Sequence, residues 1–231
     1  MTDGGKTRKV KAVQRRAKTP VAEQATGPLK AVRRAPKPLG LLPEDALKGS
    51  SFRFLETNPG WGISTTDRYE VQLADRTPVL YTPQKFSLLP GWHFEVRDMR
   101  DALRFTLSLG LKKLVMRKLT VFTPEAEELG RLEQRFSLLE VKFDILNPDG
   151  SLRFTLYQPA AQYTSYDIRD GDFQVARIAK DALPPRKARR GKVKDAFRVD
   201  FESSTLDERD RVLIIAAALF MDRVFHTGED D

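Results

Sequence analysis

Residues 205–228, TLDERDRVLIIAAALFMDRVFHTG, contain ten consecutive apolar residues that are flanked on both sides by charged residues. Thr205 and Glu208 have the spacing of a capping box, and Gly228 suits a left-handed exit from a helix. Acidic residues precede the apolar run and basic ones follow it, the sense favoured by the helix dipole. The pattern predicts a helix over about 206–226 whose core residues are Val212, Leu213, Ile214, Ile215, Leu219 and Phe220.

The apolar run has no polar face, so a helix built from it must be buried on every side. Crossing a bilayer takes roughly 20 apolar residues, and a run of about 10–14 is more typical of a helix enclosed by protein. We therefore expect other parts of the chain to surround this helix.

The chain from residue 51 onward shows a period of two, with turn residues about every ten positions. This pattern is typical of an all-β barrel or sandwich. The predicted strands are 52–55, 68–74, 78–82, 92–98, 103–109, 112–122 with a break near Lys118, 129–137, 141–146, 152–158, 163–168, 172–179 and 195–202.

An internal repeat supports antiparallel hairpins. Residues 94–107, FEVRDMRDALRFTL, align without gaps to residues 143–156, FDILNPDGSLRFTL, and LRFTL is identical in both. A weaker third copy, YDIRDGDFQVARI at 166–178, has a shorter turn. Repeated hairpins can curl into a closed sheet, which removes unpaired edges.

The two patterns fit one architecture. A barrel of about twelve strands is too wide for its own side chains to fill, because about eight strands is where they suffice. We therefore predict a mainly β fold, an antiparallel closed barrel of about twelve strands enclosing the C-terminal apolar helix. Residues 51–228 form this barrel domain.

Positive charge is concentrated at the start of the chain. Residues 1–40 hold eleven Lys or Arg against Asp3 and Glu23, and the whole chain carries +8. The tail has four prolines and no aromatic residue, so residues 1–50 are expected to be a disordered basic tail and linker. The alternatives for the tail are a solubilising segment or an arm that contacts anionic lipid or nucleic acid.

The absence of cysteine excludes disulfides and thiolate chemistry and suits a reducing cytoplasm. No apolar stretch follows the basic start, so no signal peptide is predicted. We expect a cytoplasmic protein, peripheral at the inner membrane face.

The sequence from 67 to 225 resembles the phospholipid scramblase family, within the group that shares the tubby-like C-terminal fold. The resemblance rests on the order and spacing of several pieces and on the final apolar helix with Asp222 and Phe225 near its end. It implies a twelve-stranded barrel around a central helix. The pieces are DRYEVQLADRTPVLYT (67–82), WHFEVRDMRDALRFTL (92–107), LTVFTPEAEELGRLEQRF (119–136), FDILNPDGSLRFTL (143–156), YDIRDGDFQVARIAK (166–180), DAFRVDFE (195–202) and DERDRVLIIAAALFMDRVFH (207–226).

The resemblance also implies a calcium-binding stretch before the last helix. Here that stretch is KVKDAFRVDFE (192–202), which lacks the spaced oxygen ligands of a calcium loop. In a strand, Asp195 would point to one face and Asp200 and Glu202 to the other. We expect solvent-facing carboxylates there and no cofactor, with calcium held by Asp195 and Asp200 as the alternative.

Catalytic motifs are absent. The chain has two histidines, His93 and His226, and no nucleophile elbow, phosphate-binding loop, zinc-protease helix or dinucleotide fingerprint. A barrel filled by a helix also leaves little room for a substrate. We expect a binding module and not an enzyme that makes or breaks bonds.

Two basic patches are candidates for lipid phosphate. The first, for which ordinary solvated charge is favoured, is a strand region of Lys112, Lys113, Arg117 and Lys118. The second, for which phosphate contact is favoured, is a connecting segment with Arg186, Lys187, Arg189, Arg190, Lys192 and Lys194.

The expected function is that of a scramblase-related protein that binds an anionic phospholipid membrane surface. The family also implies lipid movement between leaflets, which a barrel filled by its own helix opposes. The alternative is a soluble interaction or scaffold module whose basic tail, residues 1–40, binds nucleic acid or an acidic partner. The sequence leaves the oligomeric state open.

Overall fold

The computed structural model describes residues 39–57, 68–83, 93–112, 116–135, 142–158, 165–181 and 193–226. Within these ranges a short helix comes first, twelve strands follow, and a long helix comes last. The elements are α1 (Glu44–Lys48), β1 (Ser51–Thr57), β2 (Arg68–Leu73), β3 (Pro78–Tyr81), β4 (His93–Asp98), β5 (Leu103–Lys112), β6 (Met116–Phe122), β7 (Glu128–Arg135), β8 (Lys142–Leu146), β9 (Leu152–Tyr157), β10 (Ser165–Asp170), β11 (Phe173–Lys180), β12 (Val193–Phe201) and α2 (Glu208–His226).

The twelve strands form one closed antiparallel barrel in which each strand pairs with its neighbours in sequence and β12 pairs with β1. Closure leaves no strand edge unpaired. The predicted barrel is therefore confirmed, including the count of strands and the C-terminal helix.

The internal repeat of the sequence corresponds to equivalent pairs in two hairpins. Phe94 pairs with Leu107 in the β4–β5 hairpin, and Phe143 pairs with Leu156 in the β8–β9 hairpin. Each pair lies 49 positions from its counterpart. The turns also match, because the positive φ of Asp101 (67°) recurs at Gly150 (85°). The hairpin interpretation of the repeat is confirmed.

Helix α2 fills the barrel. Residues 212–221 are all 0% exposed, and inward-facing Phe and Leu side chains of the strands surround them. The helix runs along the barrel, because Leu213 lies beside Gly130 near the start of β7 while Phe220 packs edge-to-face on Phe143 near the start of β8, with ring centroids 5.6 Å apart. The prediction that protein encloses the apolar run is confirmed.

The predicted strand 112–122 begins too early, and it is not broken near Lys118. Lys112 ends β5, Met116 begins β6, the two residues pair across a hairpin, and Lys118 lies within β6. The apolar alternation continues through both strands, with Leu109, Leu119 and Val121 all buried, so the pattern locates the reversal only approximately.

The prediction that Thr205 caps this helix is wrong. Helix α2 begins at Glu208, and the Asp207 carboxylate accepts a hydrogen bond from the Asp210 N–H at 2.8 Å, which makes Asp207 the cap. The hydroxyls of Ser203 and Thr205 bond to each other instead, 2.8 Å apart.

Candidate functional site

The N-terminal turn of α2 holds the helix in the barrel through side chains that reach in different directions. Asp210 receives two hydrogen bonds from the Arg153 guanidinium on β9, at 2.8 and 2.7 Å, and Arg153 also bonds Asp170 at 2.8 Å. These carboxylates raise the pKa of Arg153. Arg209 donates to the Leu129 carbonyl at 2.7 Å. The fork geometry fixes both the depth and the rotation of the helix.

Glu208 ties the segment before α1 to the same turn. Its carboxylate accepts hydrogen bonds from the backbone N–H groups of Leu39, Gly40 (3.1 Å) and Leu42 (2.7 Å). Leu41 and Leu42 are buried beneath it. Residues 39–42, which the sequence assigns to a linker, therefore pack on the barrel as part of the fold.

Arg211 is enclosed by an aromatic ring and backbone. Its guanidinium lies 4.7 Å from the ring centroid of Phe201 and donates to the Gly49 carbonyl at 2.6 Å. Burial lowers its pKa. Arg211 thus packs between the helix and the barrel wall. Its cation–π contact with Phe201 is strengthened because the guanidinium is desolvated.

The alternation of strands gives the barrel two distinct ends. We call the end where α2 begins the proximal end; there β12 leads into α2 and the turns after β2, β4, β6, β8 and β10 lie. We call the opposite end the distal end. Helix α2 ends there, and so do the strands that are followed by the other connections, namely β1, β3, β5, β7, β9 and β11.

Charge differs in sign between the two ends. The distal stretches, each counted from the last residue of one strand to the first of the next, hold twelve Lys or Arg and three acidic residues. The proximal stretches, with 201–207 before α2, hold two Arg and eleven acidic residues. The distal ranges are 57–68, 81–93, 112–116, 135–142, 157–165 and 180–193, and the proximal ranges are 73–78, 98–103, 122–128, 146–152, 170–173 and 201–207.

The difference is present in the strands themselves. Among the strand-terminal residues, the distal end has the basic residues Arg68, Lys112, Arg135, Lys142 and Lys180 and no acid, while the proximal end has Asp98, Glu128 and Asp170 and no base. We call the five basic residues the distal basic ring. Strand assignments vary by a residue or two at each end, but such shifts only move residues between strand and connection at the same end.

The strand patch of the sequence analysis is only partly assembled. Lys112 and Arg117 lie on adjacent strands at the distal end, and the Lys118 Nζ lies 4.0 Å from Glu133 Oε1 on β7. Lys113 lies outside the described residues. A carboxylate on the neighbouring strand therefore lies close to the Lys118 ammonium group.

The second patch lies mostly outside the described residues, which do not include Arg186, Lys187, Arg189, Arg190 and Lys192. Lys194 is the second residue of β12. The segment nevertheless joins β11 to β12, so both of its ends are fixed at the distal end. Asp222 and Phe225 lie in α2, and their side chains are outside the described part of the structure.

Asp195 and Asp200, the carboxylates considered for calcium, both lie on β12, and the side chain of Asp195 is outside the described part. Asp200 accepts hydrogen bonds from the Ser51 hydroxyl and from Arg198 Nε, both at 2.8 Å. Within the described ranges, no three acidic or histidine side chains come together as they would around a metal ion. The described surroundings of Asp200 therefore do not supply the set of oxygen ligands that calcium takes.

Two clefts of the described surface lie at the proximal end. One of about 460 Å³ is lined by α1 and the turns after β2 and β4, where Asp98 binds Arg104. Burial opposes the ionisation of Asp98, but Arg104 and the N–H groups of Ala102 and Arg100 outweigh it and lower the pKa. A cleft of about 900 Å³ lies along Phe173 and Ser203.

Within the described part of the chain, neither helix has an apolar stretch of bilayer-spanning length.

Comparison with known proteins gives little further guidance. No family model matches the chain, and no curated protein matches its sequence. The solved structures include the Arabidopsis thaliana protein AT5G01750, determined by X-ray crystallography, with 12% sequence identity, coverage of 76% of this chain and 93% of that chain, and a TM-score of 0.46. This likeness is too weak to indicate a function.

Proposed function

We propose that this protein is a scramblase-related, peripheral membrane module that binds the anionic phospholipid surface of a bilayer. The observation that carries the proposal is the concentration of basic residues in segments 1–40 and 186–194, which together hold 17 of the 40 Lys and Arg and two of the 32 acidic residues. The rest of the chain, by the same count, has an excess of acid.

Such segments are attracted to lipid headgroups through charge. Each Lys or Arg near an anionic leaflet contributes about 1 kcal/mol, and the attraction weakens as salt screens it. Many charged side chains of the described barrel, by contrast, form ion pairs with one another, as in Arg153–Asp210 and Arg131–Glu128. We therefore assign the binding of an anionic partner to the two basic segments.

The filled interior supports binding as the role of the barrel. A lipid path through the barrel would require α2 to leave, and its ten innermost residues are fully enclosed. We therefore propose that the protein holds a membrane surface without moving lipid between leaflets and without bond chemistry.

Co-sedimentation with vesicles tests the proposal. We expect binding to vesicles of phosphatidylcholine containing phosphatidylserine, none to phosphatidylcholine alone, and a loss of binding as salt rises. A variant that lacks residues 1–38 should bind more weakly, because it loses nine of the fifteen net positive charges that the two segments carry. Equal binding to neutral vesicles would contradict the proposal.

Nucleic acid is the competitor that separates the two classes of partner. If RNA displaces the protein from acidic vesicles and binds it more tightly than lipid does, the soluble interaction module replaces the membrane module. A second assay follows a fluorescent lipid reduced by dithionite in reconstituted vesicles. Lipid movement above that of empty vesicles would overturn the proposal that the barrel only binds.

A further inference from the structure

We infer that residues 39–48 form a strap that the free protein holds closed against the barrel and that opens to insert into an anionic bilayer. We call this segment, LGLLPEDALK, the strap. Every residue of the strap belongs to the described part of the chain. This role rests on the proposed function, because it names the contact through which membrane binding is regulated.

The strap is not part of the sheet. The barrel closes from β1 through β12 without it. Its helix α1, all of which is described, has five residues and no side-chain cap. Isolated helices shorter than about 12 residues are marginal in water. The strap therefore depends on its contacts with the barrel and with α2, and it is the kind of segment that opens locally while the rest of a fold persists.

The carboxylate of Glu208 is the main polar contact that keeps the strap closed. It accepts hydrogen bonds from the N–H groups of Leu39, Gly40 and Leu42. Arg104 adds one hydrogen bond to the Gly40 carbonyl, at 2.7 Å. The packing of α1 is incomplete, because the cleft of about 460 Å³ lies between this helix and the turns after β2 and β4. The closed position therefore depends strongly on the first turn of α2.

Apolar side chains form the rest of the closed contact. Leu41, Leu42 and Ala46 are buried in the core of the barrel. Leu47 packs on the same core, and Leu39 is more than half exposed. In water, opening exposes the buried leucines, so the hydrophobic effect keeps the strap closed. At a bilayer the leucines pass from the barrel core to the acyl chains, which are both apolar, and most of that cost disappears. A membrane therefore binds the open form more tightly and shifts the equilibrium towards it.

The neighbouring sequence favours an anionic bilayer. The strap directly follows a segment with eleven Lys or Arg and two acidic residues, and the last of these basic residues is Lys37. The strap itself holds Glu44 and Asp45 against Lys48, a small difference beside that basic excess. Stable membrane anchoring takes two signals, and apolar residues beside a polybasic segment supply both.

A fluorescent label tests whether the strap enters the bilayer. The chain has no cysteine, so Leu39→Cys in the full-length protein takes a single label whose emission rises in an apolar environment. We expect this emission to rise with vesicles of phosphatidylcholine and phosphatidylserine and to stay unchanged with phosphatidylcholine alone. Met99→Cys is the matched control, because Met99 is 51% exposed at the same end of the barrel, against 55% for Leu39. A label at position 99 should keep the emission it has in water.

Release of the strap gives a second measurement. Glu208→Gln weakens the contact with the three N–H groups, whereas Glu125→Gln, in an exposed turn at the same end, removes the same charge. We expect Glu208→Gln to bind acidic vesicles about threefold or more tightly than Glu125→Gln does, because more of the protein is in the open form. Adding Leu41→Ser and Leu42→Ser to Glu208→Gln should abolish this difference. Circular dichroism checks that each variant is folded, and the label at position 39 decides the question if the triple variant is not.

The outcomes separate this role from the proposed function. If the protein does not bind acidic vesicles at all, the proposed function fails and the role of the strap fails with it. If the protein binds while the label at position 39 keeps its emission in water, the strap is a fixed part of the fold, and the inference is overturned although the proposed function stands. A rise at both positions 39 and 99 also overturns it, since the whole proximal end then contacts the membrane. Equal affinity of the Glu208 and Glu125 variants would show that Glu208 does not control opening.

Discussion

Gly130 on β7 and Leu213 on α2 share a space that admits no further atom. A β-carbon on Gly130 would lie 3.0 Å from Leu213 Cδ2 and 2.6 Å from the carbonyl oxygen of Leu146 on β8. Gly130 also has a φ of 158° beside an irregular register between β6 and β7. The barrel wall and the helix are therefore in tight contact at this glycine.

Gly130→Ala is expected to destabilise the protein by roughly 2–4 kcal/mol, because neither the β8 backbone nor the enclosed leucine has room to move. Chemical denaturation followed by circular dichroism measures the change. Gly110→Ala in β5 is the control, since its new methyl group would meet only the Lys118 carbonyl at 4.0 Å. Equal stability of the two variants would show that α2 or β8 shifts easily to make room for the added methyl group.

Glu208→Gln should loosen the segment before α1. The amide keeps the shape of the side chain but removes the charge that three backbone N–H groups share. We expect a loss of about 1–3 kcal/mol and faster hydrogen exchange of the amides of residues 39–42.

The control for this segment is Glu44→Gln on α1. Its exposed pair with Lys48 should affect stability much less than the Glu208 contacts do, because solvent screens the two charges. If hydrogen exchange at 39–42 is unchanged in the Glu208 variant, the contact does not hold the segment in solution.

Ala126→Gly is expected to stabilise the protein. Ala126 has a φ of 66° in the turn between β6 and β7, a conformation that costs a residue with a side chain about 1–2 kcal/mol. Removing that cost should outweigh the added entropy of the unfolded chain and give a net gain of about 0.5–1 kcal/mol. Thermal unfolding would detect it, and Ala102→Gly in the turn after β4, which lacks the positive φ, should move stability in the opposite direction.

The pH dependence of stability should have a component from Asp98. Its folded pKa is lowered below the ordinary 3.8, so its contribution is fully present above about pH 4 and is lost as the pH falls through the lower folded value. Asp98→Asn should cost about 1–3 kcal/mol at neutral pH and reduce the slope of unfolding free energy against pH below 4. An unchanged slope would assign the acid sensitivity to other carboxylates.

Much of the fold is predictable because two periodicities are unusually clear in this chain. The period-two strands and the run at 212–221 cannot both be buried unless one surrounds the other. The equivalence of the two hairpins was likewise visible, since Asp101 and Gly150 occupy the same place in aligned sequences. The sequence places the reversal between β5 and β6 at 110–111, before Lys112 rather than after it, because both strands continue one alternation of apolar residues.

Parts of the candidate site have no local signature. Glu208 binds backbone N–H groups of residues about 166 positions earlier, and backbone donors look alike in every sequence. The prediction of Thr205 as the cap failed because Asp207, two residues later, accepts the hydrogen bond from the first turn of the helix. The separation of charge between the ends, in contrast, could have been predicted by sorting alternate connections once the strand order was assumed.

The order of synthesis gives the enclosed helix a further consequence. A ribosome makes α2 after the twelve strands that surround it, so the inner faces of those strands are translated before the segment that covers them. The nascent barrel therefore has nothing to close around at first, and its apolar lining is a target for chaperones until α2 has left the ribosome. A stalled chain that ends at residue 207 should accordingly remain protease-sensitive on the ribosome, whereas one extended by a spacer past residue 226 should become resistant.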